Sequence, residues 1–61
     1  MKFIELTDLN GNKRLINLAH VTDIVGNITN SLIYFSAGGN DWIDIQETYD
    51  EIKDIIAEAG L

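Results

Sequence analysis

A single amphipathic stripe at the end of the chain constrains everything before it. Tyr49, Ile52, Ile55, Ile56 and Ala59 recur at steps of three and one, which is one face of an α-helix. Thr48 with Glu51 three residues later is a capping box, and Glu47 and Asp50 suit the positive helix end. Gly60 is a natural stop. The predicted helix covers residues 48–59. Asp50, Asp54 and Glu58 fall on its other face at i, i+4 spacing, where like charges weaken a lone helix. This helix therefore depends on docking.

What it docks against is a sheet. Lys2–Leu9 is rich in apolar and β-forming residues and ends at Asn10-Gly11, a hairpin dipeptide in which both residues tolerate positive φ. Lys13–Leu18 is the returning strand. The pattern breaks around Leu18–His20, and Val21–Ile28 follows as a third strand with Gly26 at a bulge or bend. Asn27-Ile28-Thr29-Asn30 turns into Ser31–Ser36, the most apolar strand, and Ala37-Gly38-Gly39-Asn40 turns again into Asp41–Ile45. The expectation is one α+β domain over residues 1–61. It is an antiparallel meander of four to five strands over about 2–45, followed by one C-terminal amphipathic helix packed on one sheet face.

One helix covers one face, so the second face should read polar. It does not. Phe3-Ile4, Leu15-Ile16, Leu32-Ile33-Tyr34-Phe35 and Trp42-Ile43 place apolar groups on both faces. If Ile43 and Ile45 face the helix, strand parity sends Phe3, Leu15, Tyr34 and Trp42 to the uncovered side, unless a bulge reverses it. Exposed apolar patches of this kind mark interaction sites. The competing expectation is that the sheet curls and shields its own back face.

Chain length sharpens the argument. A domain of 61 residues buries only about 60% of its unfolded surface and is marginal alone. Hydrophobic residues make up 46% of the chain, enough for a packed fold. Cysteine is absent and His20 is the single histidine, so neither disulfides nor a histidine metal cluster supports the fold. A partner chain, a second copy first, is the remaining support. No cofactor is expected.

Charge narrows the partner. Residues 1–40 are neutral, with Lys2, Lys13 and Arg14 balanced by Glu5, Asp8 and Asp23. Residues 41–61 hold seven acids against Lys53, so the whole net charge of −6 lies there. Such a patch repels phosphate backbones and anionic membranes, so nucleic acid is not an expected partner. MKFIELTDL meets an acid at Glu5 and never forms a signal-peptide core, and Leu32–Phe35 is far short of the roughly 20 residues of a membrane helix. The expected location is the cytoplasm without membrane insertion. There the Asn27-Ile28-Thr29 sequon has no glycosylation role.

The motifs with chemical meaning are weak. Asp8-Leu9-Asn10-Gly11-Asn12 resembles the start of a calcium loop, but Lys13 stands where glycine is required and Ala19 where glutamate is. Ala37-Gly38-Gly39-Asn40 lacks the lysine, the hydroxyl residue and the helix of a phosphate loop. His20 has the pKa range of a general base, yet catalysis also needs a nucleophile, an orienting group and a concave site. The chain reads as a non-enzyme.

Leu6-Thr7-Asp8-Leu9-Asn10-Gly11, Ile16-Asn17, Val21 with Ile24, Gly39, Ile43 with Ile45, and Glu47-Thr48 with Glu51 together resemble the FlbD/SwrD family of small flagellar accessory proteins. Asp44 departs from that pattern, where the family tends to be apolar, and so does the lysine-poor helix surface. The resemblance implies a cytoplasmic accessory protein supporting bacterial motility, with no catalytic residues to transfer. Two functions compete. One is a non-enzymatic interaction module that self-associates through its sheet and contacts a second protein. The other is a small acidic inhibitor or nucleic-acid mimic, of the kind phages encode, that binds a basic protein surface.

Overall fold

The elements run in the order β1 (Phe3–Thr7), β2 (Lys13–Asn17), a 3-10 helix (Leu18–His20), β3 (Val21–Gly26), β4 (Ser31–Phe35), β5 (Trp42–Ile45) and α1 (Tyr49–Glu58). The structure, a computed structural model, describes residues 2–36 and 41–60. The expected turn at Ala37-Gly38-Gly39-Asn40 lies outside the described residues. All strand pairing is antiparallel, and the fold is α+β with five strands and one C-terminal helix.

The strands do not form one meander. β1 pairs with β2 in a two-stranded sheet, and β3, β4 and β5 form a second sheet in that order. The division falls at Leu18–His20, where the apolar alternation stops. The Asn17 side chain accepts the Ala19 N–H at 3.0 Å and caps a turn of 3-10 helix instead of letting β2 run on into a hairpin. The sheets meet again through β1 and β5. Asp8 bridges Ile45, and the Gln46 N–H donates to the Thr7 carbonyl at 2.8 Å.

Two local expectations need correction. The β1–β2 loop is not a turn with two left-handed residues, because among the described residues only Gly11 and Gly60 have positive φ. The Gly11 N–H donates to Asp8 O at 3.0 Å and the Asp8 N–H to Asn12 O at 2.9 Å. This is the three-residue loop in which a turn of negative φ is followed by one left-handed glycine, here at φ +85. Gly26 is not at a bulge. The register shift of β3 against β4 lies between Val21 and Asp23, and Gly26 pairs regularly with Ser31. Glycine is required at 26 because a Cβ there would sit 2.6 Å from Tyr49 Cβ.

The core is built of one or two residues from each of four strands and the helix. Ile4 and Leu6 of β1, Ile16 of β2, Ile33 of β4, Ile45 of β5 and Ile52 of α1 are buried together, and Val21, Ile24, Ile43, Ile55 and Ile56 pack around them. The helix lies chiefly against β1 and β3, one strand of each sheet. It therefore clasps two sheets rather than lying on one face of a single sheet. Its stripe is graded: Ile52 is buried, Ile55 and Ile56 are half-buried, and Tyr49 and Ala59 are exposed.

Candidate interaction surface

Strand register determines which side chains share the outward face. Ile4 opposes Ile16, so on that sheet Phe3, Glu5 and Thr7 of β1 point out with Leu15, Lys13 and Asn17 of β2. Ile33 opposes Ile43, so on the other sheet Tyr34 and Leu32 point out with Trp42 and Asp44. Leu15 is 68% exposed, Trp42 53% and Phe3 41%, whereas Tyr34 is half-buried.

The four residues divide two and two between the sheets. Tyr34 lies directly opposite Trp42, with ring centroids 6.3 Å apart and planes tilted by 33°. That spacing and tilt suit an aromatic pair. Phe3 and Leu15 lie diagonal to each other across the β1–β2 ladder, since Phe3 opposes Asn17 and Glu5 opposes Leu15. Sequence reasoning passed over Val25 and Leu32, which oppose one another beside the Tyr34–Trp42 pair. Parity from Tyr34 reaches Leu32, and only the β3–β4 register adds Val25. Ile28, 98% exposed on the β3–β4 turn, carries no periodic signal that could have singled it out.

The polar side chains of the hinge between β5 and α1 are committed to the fold. The Glu47 carboxylate accepts the Thr7 N–H at 2.8 Å, Ser31 Oγ donates to Glu47 O at 2.9 Å, and Gln46 Nε2 donates to Asp8 O at 2.8 Å. Asp8 is committed as well. Its Oδ1 accepts the N–H groups of Asn10 and Asn12 at 3.0 and 2.9 Å, and Oδ2 meets Arg14 at 3.3 Å. A carboxylate so occupied closes a hairpin instead of holding calcium. The Asn12 N–H, with help from Arg14 and Asn10 and against some burial, holds its pKa below 3.8. Among the described residues no group of three or more acids and histidines is placed to hold a metal ion.

His20 is exposed at the end of the 3-10 helix, where its carbonyl accepts the Ser36 N–H at 2.9 Å. The helix presents Asp50, Glu51, Asp54 and Glu58 to solvent. Lys53 answers them only in part, standing 3.5 Å from Asp50 and 5.1 Å from the Tyr49 ring centroid. No helix is long and apolar enough to cross a membrane among the described residues.

These elements define a small α+β protein in which one helix clasps two antiparallel sheets whose outward faces carry aliphatic and aromatic groups. The chain matches no family model, no curated protein and no solved structure.

Proposed function

We propose that the protein is a small non-enzymatic interaction module that self-associates through its sheets and engages a second protein. One observation carries the reading: Phe3, Leu15 and Trp42 stand out from the sheets while the helix fills the opposite side. Burying one large apolar side chain is worth about 1.5–3 kcal/mol, a sizeable share of the stability of so small a fold. Trp42, backed by Tyr34, is the anchor of the larger patch, since tryptophan concentrates binding energy at interfaces. The resemblance to flagellar accessory proteins supports a cytoplasmic setting linked to bacterial motility.

The solution mass tests this. Light scattering should show a mass rising above the 6.8 kDa of one chain as concentration increases, with a melting point that rises in parallel. Trp42→Asp should lower the mass reached at the highest concentration while the far-ultraviolet spectrum is retained. A 6.8 kDa particle at every concentration would sink the reading.

The exposed acids of α1 favour a second reading, a mimic whose carboxylates imitate nucleic-acid phosphates and occupy a basic cleft. Salt separates the two. Capture of a partner by the mimic weakens steeply with added salt, and capture by an apolar patch does not.

A further inference from the structure

From the strand register we infer that two copies of the chain join through the outer edge of β2, in an antiparallel pairing centred on Leu15. This rests on the self-association proposed above and assigns its first contact.

The hydrogen-bond alternation of the β1–β2 ladder identifies the free groups. Asp8–Asn12 is a bonded pair, and so is Lys2–Leu18, where the Leu18 N–H donates to Lys2 O at 3.0 Å. Alternation then makes Leu6–Arg14 and Ile4–Ile16 the other bonded pairs. The backbone groups of Lys13, Leu15 and Asn17 consequently point away from β1. Thr7, the opposite number of Lys13, confirms the phase: its N–H meets Glu47 and its carbonyl meets Gln46, both on the far side from β2. Outside the helices no backbone hydrogen bond among the described residues engages the outward groups of Lys13 or Leu15, whereas Asn17 leads into the 3-10 helix and its carbonyl serves that turn. β3, by contrast, is in contact with the helix, and the end of β5 is bridged to Asp8.

A second copy fits this edge by symmetry and by charge. With Leu15 on the two-fold axis, Lys13 faces Asn17 of the second copy, so no cation opposes a cation. The two exposed leucines meet on the outward face, and the Phe3 side chains extend that apolar row. The outward groups of Lys13 and Leu15 and the Asn17 N–H on each strand can exchange main-chain hydrogen bonds, turning two two-stranded sheets into one of four strands. Charge discourages approach through β5 and α1, because residues 41–61 carry −6 on each copy. The β1–β2 hairpin, residues 2–18, holds three of the four cations and sums to +1. It is a surface of net positive charge on an otherwise acidic chain.

Amide hydrogen exchange on the parent protein tests the seam. The Lys13, Leu15 and Asn17 amides should exchange about tenfold more slowly at high than at low concentration, in the range where the mass doubles. The same protection should persist in Trp42→Asp. Leu15→Glu sets like charges across the axis and should abolish the concentration-dependent protection of the Lys13 and Asn17 amides with the helix signal intact. Association with unchanged exchange at these three amides would overturn the seam and leave self-association standing. A particle of one-chain mass at all concentrations would overturn both. Slow exchange at every concentration with a one-chain mass would mean that another part of the same chain covers the edge, and would also overturn the seam. Should Leu15→Glu unfold, the exchange measurement on the parent still decides.

Discussion

Asp8 is the residue whose chemistry the structure changes most. Its carboxylate collects the N–H groups of Asn12 and Asn10 and faces Arg14, so the charged form is favoured in the fold and the folded pKa lies below 3.8. A group of lowered pKa adds stability that is complete above its unfolded pKa and is lost as pH falls through the folded value. Urea melts on acidification below about pH 4 should therefore show falling stability, and Asp8→Asn should flatten that part of the profile. Gly26 supplies a second test at this scale. Gly26→Ala drives a methyl group to 2.6 Å from Tyr49 Cβ, an atom held by the first residue of the helix. Overpacking of this kind costs about 1–3 kcal/mol, visible as a lower urea midpoint. Neither role was legible in the chain. Asp8 read as part of a hairpin turn and Gly26 as a bulge or bend, but the Arg14 and Tyr49 contacts that fix their roles depend on how the chain packs.

At the scale of elements, the helix was the most legible part, since its punctuation is local. Thr48 Oγ1 accepts the Glu51 N–H at 3.2 Å and Glu51 Oε1 accepts the Thr48 N–H at 2.9 Å, so the capping box read from the chain is present. Thr48→Ala removes the side-chain acceptor and should cost about 0.5–2 kcal/mol, measurable as a drop in melting temperature. An unchanged melting curve would show that the cap contributes nothing to the docked helix. Strands were legible as elements for the same local reason, each a short β-forming run between turn residues. Their assignment to two sheets was not, because it depends on contacts distant in sequence. Glu47 read only as an acid suited to the helix start and Gln46 carried no signal, yet they tie the start of α1 to Thr7, Asp8 and Ser31. Parity did carry the outward positions of Phe3, Leu15, Tyr34 and Trp42, since each side of an antiparallel ladder alternates strictly. What parity could not show is that they form two patches rather than one.

For the whole molecule, the arrangement of the core makes the sheets dependent on the helix and on each other. The two-stranded sheet offers Ile4, Leu6 and Ile16 and the three-stranded sheet offers Ile33 and Ile45, and Ile52 of α1 is buried with both sets. A two-stranded hairpin alone is marginal in water, so β1–β2 draws its stability from this shared core. Truncating an aliphatic side chain at such a place costs about 2–5 kcal/mol, against a total of about 5–15 kcal/mol for an ordinary domain and less for a small one. Ile52→Ala should therefore unfold much of the population at room temperature. The loss should be cooperative: the helical signal at 222 nm, the Trp42 emission that reports β5, and the Ile4 and Ile16 amides that report β1–β2 should melt at one midpoint. If the two sheets were independent, the Trp42 signal would survive the substitution while the Ile4 and Ile16 amides exchanged freely. Separate midpoints would show that the shared core does not couple the two sheets. A single midpoint that rises with protein concentration would further tie this shared core to association, because burying the outward faces in a second copy then stabilises both sheets at once.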